Sequence, residues 1–388
     1  MKAALKCAMI ALLFLSGSTS YAGINEANNA FNNGQYTDAY KAYRKLADQG
    51  NADAQYRLGQ MYYDGKGLPQ NFSKAVIWLQ QAAENGHVPA QSRLGTAYAL
   101  GQGVEQDSNK AVLWLHKAAT QGDTEAQFNL AKKYSRGEGV QQDHREAVRW
   151  LRSAAEKGSV EAQFGVGYSY HQGEGVDKDY KLAMIWCKKA ATRDHPGAIM
   201  LTAIMYYNGD GVSQSFNDAF TWYKKAADNN DASAQNLLGE MYRDGLGTPQ
   251  DYTNAMKLFR QAAGQGNAAA QLNLGLLYFA GLGTTEDLTE AAKWFKLSAE
   301  KEYPYAQYAL GLAYGSGAGV VLDYNRADLL LRKAEAQGIE DAAAQRILLA
   351  EDRNAREMRK QKMFAEDIAA GKFTNDDYNV NADGYIWY

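Results

Sequence analysis

Histidines and cysteines supply many of the metal ligands and nucleophiles found in proteins. The chain has two cysteines and five histidines, namely His87, His116, His144, His171 and His195. None of them forms the i, i+4 pair or the His/Cys cluster that metal sites favour. The sequence therefore predicts no metal site.

Two motifs resemble parts of catalytic or cofactor-binding sites. Gly-x-Gly recurs along the chain, but it follows a helical pattern and lacks the third glycine of a dinucleotide-binding loop. Residues 167–171 read Gly-Tyr-Ser-Tyr-His, which lacks the final glycine of a nucleophile elbow. Cys187 lies at an apolar helix position, as expected of a small buried side chain. We therefore predict no catalytic residues, no bound cofactor and no enzymatic activity.

A repeat of 36 residues sets the positions of the five histidines and of Cys187. Eight copies follow one another without insertion or deletion, and position 9 is Tyr in all of them. Positions 12 and 14 are always Gly, and position 25 is Trp except at Leu258 and Leu330. The copies begin at Ala54, Ala90, Ala126, Ala162, Ala198, Ala234, Ala270 and Ala306. A fixed period of this length indicates one supersecondary unit stacked into an array.

Each repeat reads as two helices. Small or apolar residues at positions 1, 5, 8 and 9 predict helix A over positions 1–11, which the Gly pair ends. Positions 22, 25, 26, 29 and 30 form the apolar stripe of helix B, which usually stops at another glycine such as Gly86. Because one pair cannot bury both stripes alone, we predict an all-α solenoid of eight helix-turn-helix repeats.

The repeat resembles a known family. The pattern A-Q-x-x-L-G-x-x-Y-x-x-G-x-G-V…A-x-x-W…K-A-A…G, as in residues 126–158, is similar to the Sel-one-like repeat, a relative of the tetratricopeptide repeat. The resemblance covers residues 54–341. It implies a right-handed αα-superhelix that serves as an adaptor between proteins. The fifth repeat departs from the pattern at Ile199 and Thr202, and the eighth at Glu335.

Residues 1–22 have the features of a secretory signal peptide. Lys2 and Lys6 precede a short apolar segment, and the small residues Ser20 and Ala22 suit cleavage by a signal peptidase. The apolar segment is too short for a membrane span. We therefore expect export to the periplasm or beyond, without a membrane anchor. Loss of the two lysines changes the formal charge from −3 to −5, which gives no support to nucleic-acid binding.

Segments at both ends of the array differ from the repeats. Residues 23–53 are predicted to be N-terminal capping helices, because solenoid ends face water on one side. Residues 342–371 are predicted to form one polar capping helix. Residues 372–388 form an aromatic tail that either folds back onto the solenoid or serves as a short recognition peptide, and both interpretations stay open.

Positions 4, 7, 10 and 11 of helix A vary freely and share one helical face. In αα-solenoids that face is expected to line the concave surface, so apolar side chains there are candidates for partner binding. The predicted residues are Tyr168, His171, Leu201, Ile204, Tyr207, Glu240, Arg243, Leu276 and Phe279. The first five form the predicted centre. The alternative is that superhelical twist buries these side chains against neighbouring repeats or the tail.

The leading functional hypothesis is a secreted or periplasmic bacterial adaptor that binds a protein of the envelope or of a host, with a role in virulence. We expect a monomer with a protein partner. One alternative, implied by cysteine-rich relatives, is an enzyme that binds or cleaves β-lactams or cell-wall fragments; the lack of paired cysteines counts against it. Another is a structural envelope element that self-associates.

Overall fold

Helix pairs recur between residues 23 and 336 in the computed structural model, which describes residues 23–370, 379–380 and 386–387. The N-terminal helices are α1 (23–32) and α2 (Tyr36–Asp48). The repeats supply α3 (Ala52–Asp64), α4 (Phe72–Glu84), α5 (Val88–Leu100), α6 (Ser108–Thr120), α7 (Thr124–Arg136), α8 (His144–Glu156), α9 (Val160–Gln172), α10 (Tyr180–Ala191), α11 (Pro196–Asn208), α12 (Phe216–Asp228), α13 (Ala232–Asp244), α14 (Tyr252–Gly264), α15 (Ala268–Ala280), α16 (Leu288–Ala299), α17 (Pro304–Ser316) and α18 (Tyr324–Ala336). The last helix is α19 (Asp341–Ala369), and two short strands, β1 (Asn379–Val380) and β2 (Ile386–Trp387), pair antiparallel. The predicted all-α solenoid of helix pairs is confirmed.

Each helix A begins two residues before the start chosen from the sequence. In seven repeats the reason is the residue at the N-cap, whose side chain accepts a hydrogen bond from the backbone N–H of the alanine at position 1. Seven repeats use such a cap: Asn51, His87, Asp123, Ser159, His195, Asp231 and Asn267. This satisfies a backbone donor that the first helical turn leaves without an intrahelical partner.

The glycines end helix A as predicted, and each has a different task. The first, such as Gly137, adopts the left-handed conformation just after the helix, with φ 69°. The second, such as Gly139, also has positive φ and lies against the backbone of Ser108, the first residue of the preceding helix B. A Cβ at position 14 would collide with this first residue in every repeat.

Close contacts between helices build the core. A Cβ on Gly239 at position 6 would lie 2.7 Å from the Phe259 ring, so helices A and B approach more closely than a larger side chain would allow. Buried glutamines at position 2 link consecutive repeats. Gln91 Nε2 donates to the carbonyl of Ala83 at 3.1 Å, and Gln91 Oε1 accepts from Gln121 Nε2 at 2.7 Å.

The chain divides into two units, and each is described by itself. Unit 1 ends at Gln214 and holds α1 to α11; unit 2 begins at Ser215 and holds α12 to α19. Within each unit, every helix packs on the helix that follows it, and in unit 2 α19 packs on both α17 and α18. The core of each unit is therefore a series of adjoining apolar clusters.

Two predicted segments lie outside or mostly outside the described residues, namely the signal peptide at 1–22 and the aromatic tail at 372–388. Between residues 23 and 370, no helix combines the length and the apolar character that a bilayer crossing requires.

Candidate partner-binding surface

The variable face of helix A holds the predicted binding residues, and in unit 1 only part of it is accessible. Tyr168 is 41% exposed, with its ring centroid 6.1 Å from that of Phe164. Leu201 is only 9% exposed and packs in a core cluster, while Ile204 and Tyr207 are half-buried. Burial of Leu201 favours a packing role. Among the five residues of the predicted centre, Tyr168 is thus the most accessible side chain.

His171 lies among side chains of the same unit. Its ring packs edge-on against Tyr180, with centroids 5.2 Å apart. Its Nε2 lies 3.5 Å from Oδ2 of Asp210, in the loop that follows α11, and its Nδ1 lies 3.3 Å from Gln172 Nε2. These contacts connect the end of α9 with the neighbouring turn, and they leave the side chain half-buried.

In unit 2, Glu240 and Arg243 belong to a polar network between consecutive helices A. Glu240 Oε1 accepts hydrogen bonds from Asn236 and Asn273, each 2.9 Å long. Arg243 Nη1 donates to Asn273 Oδ1 at 3.1 Å, and Arg243 also pairs with Asp244. Because Asn236 and Asn273 are buried, their amides need these partners. The network therefore stabilises the contact between α13 and α15.

Leu276 and Phe279 line an apolar groove of about 170 Å³ on the variable face of α15 and α17. Leu276 is 41% exposed, Phe279 is 47% exposed, and Leu312 on α17 completes the rim at 36%. The rest of the lining is Leu288, Phe295, Ala309, Ala313, Ser316 and Ala318. We call this the repeat 7–8 groove. Its lining is almost wholly apolar and partly open to solvent, which suits a large apolar side chain of a partner.

Position 7 explains why the groove lies here and not in the first repeats. Gln60, Thr96 and Lys132 occupy this position in repeats 1 to 3, whereas repeats 7 and 8 have Leu276 and Leu312. Sequence analysis identified Leu276 and Phe279 but missed Leu312. It also missed the small side chains of Ala309 and Ser316, which leave room between the larger ones. Small residues at variable positions of helix A were the signal in the sequence.

The cysteine and two of the histidines that could act as nucleophile or metal ligands have structural roles. Cys187 is buried, and burial raises the pKa of its thiol to about 12, so it holds its proton and packs as a small apolar group. His87 and His195 are helix caps. Within residues 23–370, no group of three or more His, Cys, Asp or Glu side chains is placed to hold a metal ion.

Comparison with known proteins agrees with this architecture. The Sel1 repeat family matches residues 52–87, 88–123, 124–159, 160–195, 196–231, 232–267, 268–303 and 304–339. No curated protein matches the chain significantly.

Two solved structures are similar over most of the chain. One is a protective antigen with an SLR fold, present in uropathogenic Escherichia coli strains: identity is 37% and the TM-score 0.73, with 79% of this chain and 66% of that one covered. The chain therefore spans just under two thirds of that protein's length. The other is a Sel1 repeat protein from Oxalobacter formigenes, with 32% identity, a TM-score of 0.64 and coverage of 80% and 89%. From its eight repeats and these relatives, the chain belongs to the Sel1 repeat family.

Proposed function

We propose that the chain is an exported adaptor that binds a protein partner through the repeat 7–8 groove, without catalysis. The observation behind this proposal is the exposure of Leu276, Phe279 and Leu312 at positions that the repeat scaffold leaves free to vary. Exposed apolar side chains gathered in one concave site are typical of protein-binding surfaces.

Membership of the family supports the binding of a protein partner, since Sel1 repeat proteins are generally protein-interaction scaffolds. Export and contact with a host have a separate support. The similar protein from uropathogenic Escherichia coli is a protective antigen. An antigen that protects must be reached by the immune system, so this relative favours an exported chain with a partner in the envelope or in the host.

The groove predicts how the partner binds. Its volume of about 170 Å³ accommodates roughly one or two large apolar side chains, and its rim is formed by helices α15 and α17. The expected ligand is therefore a segment of the partner that presents leucine- or phenylalanine-sized anchors. Such anchors usually contribute most of the binding free energy of an interface.

The groove hypothesis is tested by replacing Leu276 and Leu312 together with serine. A partner is first captured from envelope extract and host secretions with residues 23–388, and its affinity for each variant is then measured by calorimetry. We expect this partner to bind the double variant at least about tenfold more weakly than the unmodified protein, because the two apolar side chains that it would bury are lost.

Leu329→Ser provides the matched control, since Leu329 is 56% exposed on helix B, away from the groove. This variant should bind like the unmodified protein. Equal affinity for the groove variant and the control would show that the partner binds elsewhere.

A further inference from the structure

A second cleft opens in unit 2 beside Leu258, one of the two residues that replace the repeat's tryptophan at position 25. Its volume is about 370 Å³. The lining comes from α12, α13, α14 and the turn before α13, and includes Lys224, Leu238, Tyr242, Lys257 and Leu258. The cleft therefore occupies the place that an indole ring fills in other repeats.

Repeat 1 shows one set of surroundings for that ring. Trp78 packs in a cluster with Ala47, Leu58 and Tyr62, and the Arg44 guanidinium carbon lies 5.0 Å from the indole centroid. The residues at the same four repeat positions in repeat 6 and the helix before it are Ala227, Leu238, Tyr242 and Lys224. All four line the cleft. The surroundings of an indole ring are thus retained, including the cation, whereas the ring itself is replaced by the shorter Leu258.

Position 21 places a short side chain, Asn254, in the lining of this cleft. In repeats 1, 2 and 8 a long cation at this position lies over the tyrosine ring at position 9; for example, Arg326 lies 5.5 Å from the Tyr314 centroid. Repeat 6 has the short Asn254 there, and its side chain donates to Asp251 Oδ2 at 2.8 Å. Asn254 is thereby held at the helix cap instead of covering Tyr242.

We propose that this cleft binds a planar aromatic ring that carries an anionic group. The ring takes the place of the missing indole against Leu238 and Tyr242, where stacking and apolar contact favour it. The lining holds two ammonium groups, those of Lys224 and Lys257, and one carboxylate, that of Asp228, so its excess of positive charge favours an acidic substituent. The cation at Lys224 also lies where a cation–π contact with the ring is made in repeat 1.

The expected ligand presents an indole-like ring beside a carboxylate. Two kinds of molecule do so: a free aromatic acid, and a peptide with a tryptophan next to an acidic residue. The proposal is independent of the repeat 7–8 groove, which lies on a different set of helices. Failure of one proposal therefore leaves the other intact.

Binding is measured by ¹⁹F NMR with N-acetyl-5-fluoro-tryptophan and its neutral amide, using the full exported chain. A short capped peptide with 5-fluoro-tryptophan followed by aspartate represents the second source. We expect saturable binding, with a higher affinity for the acid than for the amide. Whichever of the free acid and the peptide binds more tightly identifies the source of the natural ligand. No saturation up to about 10 mM of either would overturn the proposal.

Leu258→Trp places the missing indole in the cleft, and should weaken binding by about tenfold or more while leaving helicity and thermal stability at least equal. Leu330→Trp makes the same substitution in repeat 8, where Arg326 covers the tyrosine, and should leave the affinity unchanged. Equal binding by wild type and Leu258→Trp contradicts the assignment.

Lys224→Gln supplies a second test that does not depend on packing, because Lys224 is exposed. It should weaken binding of the acid about threefold more than binding of the amide, since both ligands lose the cation–π contact and only the acid also loses the attraction between opposite charges. An equal loss for both ligands would contradict recognition of the anionic group.

Discussion

Two histidines show how a single ring nitrogen contributes to the fold. The backbone N–H groups of Ala90 and Ala198 donate to Nδ1 of His87 and His195, at 3.1 and 3.2 Å. An acceptor at Nδ1 places the proton of the neutral ring on Nε2, which in His87 lies 3.1 Å from Asp53 Oδ1. Burial lowers the pKa of both histidines, and in His87 this outweighs the opposing attraction of Asp53.

These caps predict a loss of stability in mild acid. Because the pKa of each histidine is lower in the folded state, the unfolded chain binds protons first as the pH falls below about 6.5. The stability contributed by the neutral caps is therefore present at neutral pH. It is lost as the pH falls from about 6.5 through the lower folded pKa. The check is the midpoint of urea unfolding, followed by circular dichroism between pH 8 and pH 5.

The control for this pH effect is the double variant His87→Asn with His195→Asn. Asparagine caps the same position at Asn51 and Asn267, so it retains an acceptor that does not titrate. The midpoint of this variant should fall less steeply with pH than that of the unmodified protein. Parallel pH profiles would exclude the histidine caps as the cause.

At this scale the sequence predicted locations better than roles. His87 and His195 share one repeat position, yet their capping role depends on helix A starting two residues earlier than expected. Glu240 and Arg243 were predicted binding residues, and the structure places them in a network with two buried asparagines. That network depends on side-chain directions in two repeats, which the pattern of one helix face does not specify.

At the scale of helices, the glycine at position 14 determines how closely neighbouring elements approach. Gly139 lies against the backbone of Ser108 at the start of α6, and its φ is 74°. Positive φ costs an L-residue about 1–2 kcal/mol. A side chain here would also have to displace backbone atoms, which cannot rotate away as a flexible side chain can.

Gly139→Ala is therefore expected to lower the free energy of unfolding by more than the cost of placing alanine at positive φ. Gly86→Ala is the matched control, because Gly86 has a φ of 83° and a Cβ added there would meet nothing within 4 Å. We expect a loss of roughly 1–2 kcal/mol for the control, and about 1–3 kcal/mol more for Gly139→Ala from overpacking. Urea unfolding measures both. Equal losses would show that the approach to Ser108 relaxes without cost.

Helix pairing was predictable to a large extent because the repeat presents every element eight times. Tyr at position 9 and the two glycines stand out against variable neighbours, so the helix ends could be placed to within about two residues. The repeat 7–8 groove was harder to predict from the sequence. It forms because Leu276, Phe279 and Leu312 of two different repeats lie together, and the pattern shared by all repeats does not show such a contact.

For the whole molecule, the proposed export makes a prediction that does not depend on the binding sites. Expressed with residues 1–22, the protein should be recovered outside the cytoplasm with Gly23 as its first residue, as N-terminal sequencing would show. Leu13→Arg interrupts the apolar segment and should retain the full-length protein in the cytoplasm, whereas Leu13→Val should be exported normally. Export of the arginine variant with an intact N-terminus would contradict a cleaved signal peptide.

The contact at position 14 also has a consequence for how such a chain can change in evolution. Each of the eight glycines meets the first residue of the preceding helix B, from Gly67 on Tyr36 to Gly319 on Leu288. The number of residues between the two partners is the same every time, so a single inserted or deleted residue would move the glycine off its contact. Duplication or loss of one whole repeat preserves every such spacing. The array can thus lengthen or shorten by recombination between repeats, while a small insertion or deletion between a glycine and its partner would break their contact.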